Sequence, residues 1–91
     1  MSTMVVCQSI RASVDRVWSD VLNIEHLGDD DNFFGLGGDS LLGTVALSIL
    51  SEEMQMILSM TDLYMHPKAQ DFANHLTRLI EQRVSAEDDR K

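Results

Sequence analysis

Ser40 is the residue of this chain whose neighbours best suit covalent chemistry. Gly37 and Gly38 precede it and allow a tight turn with positive φ, in which the backbone of another molecule can come close. Asp39 is a residue type that caps helices, and the apolar-rich residues 41–50 are predicted to continue as a helix. The Ser40 hydroxyl is therefore expected at the first helical position, where unpaired N–H groups and the helix dipole favour a phosphate over a neutral group.

The same neighbourhood argues against a serine that attacks substrates by itself. No residue near Ser40 along the chain is suited to deprotonate its hydroxyl, and a serine without a base is a weak nucleophile. Ser40 is thus predicted to be an attachment point on which another enzyme acts.

One enzyme class competes with this interpretation. Residues 38–41 read Gly-Asp-Ser-Leu, a tetrapeptide that also occurs in a family of serine hydrolases. Those enzymes need an α/β sheet and a paired Asp and His near the C-terminus, and the Asp-to-His spacings at residues 62–66 and 71–75 are one residue too long for that motif. Because 91 residues also leave no room for the sheet, the hydrolase hypothesis is disfavoured.

The elements that must position Ser40 are predicted to be helices of a single small domain. A length of 91 residues allows one core, and a hydrophobic content of 44% argues against disorder. Apolar residues recur at helical spacing in residues 9–23, 40–53 and 69–80, whereas no alternating strand pattern persists. A short third helix near residues 61–65 is stopped by Pro67. The predicted fold class is all-α, a four-helix bundle with a long loop between helices one and two.

Domain boundaries and location follow from the flanks of this pattern. Residues 9–84 form the predicted domain, residues 1–8 an N-terminal extension and residues 85–91 a charged, frayed tail. No signal peptide or bilayer-spanning run is recognisable, and the single cysteine, Cys7, cannot form an internal disulfide. Both observations favour a cytoplasmic protein.

The core is predicted from the apolar stripe of each helix and from the aromatic residues. Phe33, Phe34 and Leu36 are expected to anchor the long loop, which at about 15 residues is more often functional than idle. Trp18 and Tyr64 are expected in the core, with the polar edge of each ring finding a partner. Four methionines near the third helix are expected to fill the core or to adapt to a partner: Met54, Met56, Met60 and Met65.

The net charge of −8 is unevenly distributed along the chain. No Lys or Arg occurs between Arg16 and Lys68, a stretch that contains nine Asp and Glu residues. Nucleic acid and anionic membranes are disfavoured as partners because either would meet like charge around Ser40. Basic protein surfaces are favoured, although a solvated acidic face that serves solubility alone stays open.

The outward face of helix two is unusually apolar and is predicted to bind partners. The alternative is that the whole helix is buried on two sides, but the proximity of Ser40 favours docking. The predicted partner-binding residues are Leu41, Leu42, Thr44, Val45 and Ser48.

No metal site is predicted. His26, His66 and His75 show no ligand spacing with one another or with Cys7, and each is expected to be a surface or loop residue.

The motif around Ser40 resembles that of the acyl and peptidyl carrier proteins, which carry phosphopantetheine. Residues 31–41 look like the signature around the modified serine, and the similarity extends over about residues 10–83. Further matching positions in the first, third and fourth helices are Val17, Trp18, Val21, Leu22, Asp62, Leu63, Tyr64, Pro67 and residues 72–76. Gly35 departs from the family where an acidic residue is usual, and Gly43 where alanine is commoner; a helix-interior glycine is expected to loosen helix two by about 0.5 to 1 kcal/mol.

The resemblance implies a carrier that is a substrate of partner enzymes and has no catalytic residues of its own. It implies 4'-phosphopantetheine bound covalently to Ser40, with Gly38 and Asp39 as neighbouring site residues. It also implies that Ala46, Leu47 and Leu50 of helix two point inward. The implied partners are a phosphopantetheinyl transferase, an adenylation enzyme and condensation or tailoring enzymes of nonribosomal peptide or hybrid natural-product (antibiotic) biosynthesis. A monomer is expected, and the start at Met1 suggests a free-standing carrier.

Two alternatives stay open. Leu42, where fatty-acid carriers usually have an acidic residue, and the paired glycines favour the peptidyl branch, with an acyl carrier of a polyketide or fatty-acid pathway as the alternative. A helical interaction domain without a prosthetic group is the other hypothesis, but it leaves the Gly-Gly-Asp-Ser arrangement unexplained.

Overall fold

A computed structural model of the protein describes residues 3–89, with side chains for residues 8–82. Its four helices are α1 (Thr3–Leu22), α2 (Ser40–Met54), α3 (Met60–Met65) and α4 (Ala69–Asp89). Within the described residues there is no strand, and a single isolated antiparallel bridge joins Asn32 to Lys68. The predicted all-α fold with a long first loop and a short third helix is confirmed. No helix in the described range is long and apolar enough to cross a bilayer.

The ends of the long helices differ from those predicted. Helix α1 begins at Thr3, within the predicted extension, because neither Gly nor Pro interrupts residues 3–8. It ends at Leu22, followed by Asn23 in the left-handed conformation with φ 57°. Helix α4 includes residues 85–89 of the predicted tail, and residues 90 and 91 lie outside the described range.

The core lies where α1 packs against α4 and α2 and where α2 packs against α3. The apolar stripes predicted from helical spacing are confirmed, because their central members are buried. The loop contributes Phe33, which is fully buried, while Phe34 and Leu36 are half-buried. The largest fully buried side chains are Trp18, Phe33, Phe72, Leu50, Leu63, Leu76 and Val14.

Backbone hydrogen bonds fasten the long loop to the start of α4. The Phe33 N–H donates to the Pro67 carbonyl at 2.8 Å. In return, the N–H groups of Ala69 and Gln70 donate to the carbonyls of Asp31 and Asp29, each at 3.0 Å. The first N–H groups of a helix have no partner within it, so the loop satisfies two donors that α4 would otherwise leave unpaired.

Arg11 of α1 reinforces this attachment with a largely buried guanidinium. Its Nη2 donates to the Leu27 carbonyl at 3.2 Å and to Asp29 Oδ1 at 3.0 Å, and its Nε donates to Gln70 Oε1 at 3.2 Å. The group also pairs with Asp15 one turn along α1. One cation therefore ties α1, the loop and α4 together.

Tyr64 and His75 do not lie where the sequence predicted them. Tyr64 was expected in the core but is 55% exposed, because Leu63 is the α3 residue that points inward. His75, expected on the surface, is a half-buried residue of α4 whose Nε2 lies 2.9 Å from Asp62 Oδ1. Its ring stacks on that of His66 with 4.1 Å between centroids.

Asp62 also links α3 to α4. Its side chain accepts the Ser59 N–H at 2.8 Å in a capping box and pairs with His75. Partial burial works to raise the pKa of Asp62, but the hydrogen bonds from Ser59 and His75 outweigh it and lower the pKa. Among the described residues, no three His, Cys, Asp or Glu side chains come together as a metal site.

Replacing Trp18 tests the importance of this core. The indole is fully buried, edge-on to Phe33 at 5.0 Å and tilted against Phe72 at 5.4 Å between ring centroids. We expect Trp18→Ala to lower the free energy of unfolding by about 3 to 5 kcal/mol. Urea unfolding followed by circular dichroism measures the loss. Ile57→Ala, at a position 96% exposed, is the control and should leave the midpoint nearly unchanged. Equal midpoints for Trp18→Ala and wild type would contradict the packing described.

Candidate attachment site at the start of helix α2

A turn built on two glycines delivers the chain to α2. Gly37 has φ 103°, in the left-handed region, as predicted. Gly38 is needed for a different reason, because its φ is not positive and its N–H donates to the Phe33 carbonyl at 3.0 Å. A Cβ at Gly38 would lie 2.3 Å from Phe33 Cε2 and 2.7 Å from the Phe33 carbonyl oxygen. The sequence predicted that the backbone of another molecule could come close to these glycines; in the structure, the backbone close to Gly38 is that of Phe33 in the same chain.

Asp39 caps α2 as the sequence predicts. Its backbone is extended, with φ −137° and ψ −173°, and its Oδ1 accepts the Leu42 N–H at 2.9 Å. The Asp39 carbonyl accepts the Gly43 N–H at 2.8 Å, which is the first turn of the helix. Ser40 is therefore the first helical residue, and it is exposed.

The Ser40 hydroxyl has a partner that sequence reasoning missed. Ser40 Oγ lies 3.1 Å from the Tyr64 hydroxyl, and either oxygen can donate. The Asp39 carboxylate is engaged with the helix backbone, and the Ser40 carbonyl accepts the Thr44 hydroxyl at 2.8 Å. The shortness of α3 could have indicated that Tyr64 lies outside the core. In a helix of six residues that buries Leu63, the next side chain points away from the core.

Gly43 allows α3 to approach α2 closely. A Cβ at this position would lie 3.1 Å from Leu63 Cδ2 and 3.1 Å from both Sδ and Cε of Met60. The sequence predicted only that this glycine loosens α2. In the structure Gly43 is buried in the contact with α3, the helix that carries Tyr64 to Ser40.

The outward face of α2 is exposed beside Ser40, with one difference from the predicted set. Leu41 is 72% exposed and Val45 42% exposed, and Thr44 and Ser48 are also at the surface. Leu42 is half-buried and packs against the core. Inward-pointing Ala46, Leu47 and Leu50 are buried as predicted. We call Leu41, Val45 and Tyr64 the apolar patch, since all three are exposed around Ser40.

Exposed acidic side chains lie at both ends of α2. Asp39 at the site and Glu52 and Glu53 near the end of α2 are exposed. Arg16 of α1 pairs with Glu53, and this hydrogen bond and charge raise the pKa of the Arg16 guanidinium. The Arg16–Glu53 pair offsets charge at the far end of α2, whereas the exposed Asp39 carboxylate lies beside Ser40 and favours basic partner surfaces.

Substituting Gly38 tests whether this turn is sterically determined. The atoms that a Cβ would meet are a buried ring and a backbone carbonyl, neither of which can move aside easily. We expect Gly38→Ala to destabilise the domain by about 1 to 3 kcal/mol. Gly35→Ala is the matched control, because its Cβ would have ordinary contacts of 3.4 Å to Asn32, and its effect should stay within about 0.5 kcal/mol. Similar melting temperatures for both variants would show that the turn tolerates a side chain.

Comparison with known proteins places this geometry in a family. Residues 12–76 match the family model described as "Phosphopantetheine attachment site". A curated relative, one of the proteins that make up linear gramicidin synthase in Brevibacillus parabrevis, is 37% identical over 73 residues. That alignment covers 80% of this chain but only 1% of the much longer synthase protein.

Two solved structures are similar in both sequence and fold. One, a nonribosomal PCP domain, is 30% identical with a TM-score of 0.61 and covers 70% of this chain and 82% of that one. The other is a chain from the phosphopantetheine transferase Sfp in complex with coenzyme A and a peptidyl carrier protein. It is 25% identical with a TM-score of 0.72 and covers 76% of this chain and 90% of that one. With a serine exposed at the start of α2 inside the matched region, the chain belongs to the phosphopantetheine attachment site family of carrier proteins and is similar to its peptidyl branch.

Proposed function

We propose that this protein is a peptidyl carrier of nonribosomal peptide or hybrid natural-product biosynthesis, with 4'-phosphopantetheine attached to Ser40. The observation that carries the proposal is an exposed serine at the first position of α2, inside the region that matches the phosphopantetheine attachment family. When attached, the cofactor supplies a terminal thiol that holds an amino acid or peptide as a thioester.

The surroundings of Ser40 fit this group. The first N–H groups of α2 and the helix dipole favour the negative phosphate, and the exposed position lets a transferase reach the hydroxyl. Gly38 and Asp39 contribute by fixing the turn and the cap. In the attachment step, Ser40 Oγ forms a bond to the phosphorus of the pantetheine phosphate in coenzyme A. The pyrophosphate P–O bond breaks, adenosine 3',5'-bisphosphate leaves, and the serine proton passes to a base of the transferase.

In the proposed function the protein is a substrate of other enzymes and does not catalyse the reaction itself. No group described near Ser40 is placed to take the proton of its hydroxyl. The Asp39 carboxylate is bound to the Leu42 N–H, and the partner of Ser40 Oγ is the hydroxyl of Tyr64. A hydroxyl partner does not activate serine as a nucleophile. Base and electrophile must both come from the partner enzymes.

The peptidyl branch is supported over the acyl branch by the relatives and by Leu42. Proteins of linear gramicidin synthase, plipastatin synthase and surfactin synthase are among the similar sequences. A helical interaction domain without a prosthetic group is not favoured, because the family is defined by phosphopantetheine attachment. We further propose that the protein works as a cytoplasmic monomer.

The apolar patch and the exposed Asp39 carboxylate form the proposed docking face for a phosphopantetheinyl transferase, an adenylation enzyme and condensation or tailoring enzymes. Exposed apolar side chains beside Ser40 supply contact area where an enzyme must approach, with Thr44 and Ser48 at the same face. Exposed carboxylates steer a basic partner and repel nucleic acid. Leu42, being half-buried, contributes less contact area than Leu41.

Intact mass spectrometry tests the attachment. Incubation with coenzyme A and a broad-specificity phosphopantetheinyl transferase should add the mass of one phosphopantetheinyl group to the wild type and none to Ser40→Ala. Both proteins should keep the same helical circular dichroism, because Ser40 is exposed and its truncation changes stability little. Addition to the alanine variant, at any of the other serines, would overturn the assignment of Ser40.

Substituting Val45 tests docking. Val45→Glu should leave the fold intact, because this side chain is 42% exposed, yet lower kcat/KM for the transferase at least about tenfold, because a carboxylate in an apolar contact is desolvated without a partner. Gln82→Glu makes the same charge change at an exposed position late in α4 and should leave the rate near that of wild type. Equal rates for both variants would remove Val45 from the interface, and unfolding of Val45→Glu would show that it belongs to the core.

A further inference from the structure

Four aromatic rings lead from the centre of the core to Ser40. Trp18 contacts Phe33 at 5.0 Å, Phe33 contacts Phe34 at 5.5 Å, and Phe34 contacts Tyr64 at 5.3 Å between ring centroids. The last pair is stacked, with 15° between the ring planes. Tyr64 is 55% exposed, but this stacking fixes one face of its ring, and its hydroxyl reaches within 3.1 Å of Ser40 Oγ.

The hydrogen bond between Ser40 and Tyr64 becomes directional once Ser40 is modified. In the unmodified protein either hydroxyl can donate. In a phosphodiester, Oγ has no hydrogen and can only accept, and the adjacent phosphate oxygens are also acceptors. The Tyr64 hydroxyl is then the donor of the pair, and an ionised acceptor makes the stronger hydrogen bond.

Besides the first N–H groups of α2, the sequence around Ser40 offers a phosphate little that is basic. The chain has no Lys or Arg between Arg16 and Lys68, so no basic residue accompanies Ser40 along this stretch. Asp39 repels an anion, and its side chain and carbonyl already accept the N–H groups of Leu42 and Gly43. A neutral hydrogen-bond donor on the neighbouring helix α3 would therefore stabilise a phosphate at Ser40. Tyr64 is the single tyrosine of the chain.

We propose that Tyr64 is a positioning residue for the cofactor. Its hydroxyl donates a hydrogen bond to the phosphodiester on Ser40 and holds the attached end of the phosphopantetheine arm on the α3 side of the site. This inference rests on the proposed attachment at Ser40. The stacked ring of Phe34 supports the Tyr64 ring, and the close approach of α3 to α2 at Gly43 sets the distance of its hydroxyl. The flexible part of the arm thus begins beyond the phosphate.

Phosphorus NMR of the modified protein tests the role of the hydroxyl. Wild type, Tyr64→Phe and Thr61→Val are each incubated with coenzyme A and the transferase, and intact mass confirms one added group. Tyr64→Phe keeps the ring that stacks on Phe34 and removes only the hydroxyl. Thr61→Val is the matched control, because it also removes an exposed hydroxyl from α3. The ³¹P resonance of Tyr64→Phe should differ from that of wild type by more than its linewidth and become narrower, whereas that of Thr61→Val should superimpose on wild type.

The possible results separate this inference from the proposed function. Mass addition to all three proteins with identical ³¹P resonances would overturn the role of Tyr64 and leave the attachment standing. An equal change in Tyr64→Phe and Thr61→Val would also overturn it, because the effect would then not belong to the Tyr64 hydroxyl. No mass addition to any of the three would contradict the proposed function, and the inference about Tyr64 would fall with it.

Discussion

The position of Ser40 depends on the packing of the Phe33 ring in the core. The ring lies fully buried against Trp18, in a loop that has no regular structure of its own to hold it. Its carbonyl accepts the Gly38 N–H, and its ring leaves no space for a side chain at Gly38. One aromatic side chain therefore fixes the path of the backbone into α2, and with it the position of Ser40. Burial of a phenylalanine contributes about 1.5 to 3 kcal/mol, enough to order such a segment when hydrogen bonds assist.

The hydrogen bonds around the loop explain why a chain of this size can maintain an ordered connection. The loop carbonyls of Asp29 and Asp31 accept N–H groups at the start of α4, and Arg11 binds the loop from α1. Each of these bonds satisfies a group that the loop or the helix end would otherwise leave without a partner. A rigid platform results, on which an exposed serine, an apolar patch and acidic side chains are held in fixed relation. Such a platform suits the proposed role, in which several partner enzymes bind the same domain.

Local signals in the sequence predicted the helix cap, the helix start and the buried stripes, and non-local packing decided what they missed. The cap at Asp39 and the helix start at Ser40 depend on neighbouring residues, and the buried stripe of α1 depends on helical spacing; all of these were predictable. The exposure of Tyr64 follows from how α3 packs on α2, which depends on Gly43 and on residues far apart in the chain. The pairing of His75 with Asp62 joins α4 to α3 across 13 positions and has no local pattern.

The role of Gly38 also differs from the predicted one, because it depends on packing against Phe33. A glycine before a helix indicates a turn with unusual backbone angles, whereas the structure requires it because the Phe33 ring and carbonyl lie too close for a Cβ. Sequence spacing contains no information about such a steric contact. Gly37 does have the positive φ that the pattern predicts.

Amide hydrogen exchange tests most directly whether the loop is fixed by Phe33 as part of the core. The relevant amides are those of Phe33, bonded to the Pro67 carbonyl, and Gly38, bonded to the Phe33 carbonyl, with Leu76 in the buried face of α4 as the reference. The account predicts that Phe33 and Gly38 exchange nearly as slowly as Leu76, because they open only when the core opens. Exchange of both at the rate of an unstructured peptide, while Leu76 stays protected, would show that the loop moves independently and would contradict the account.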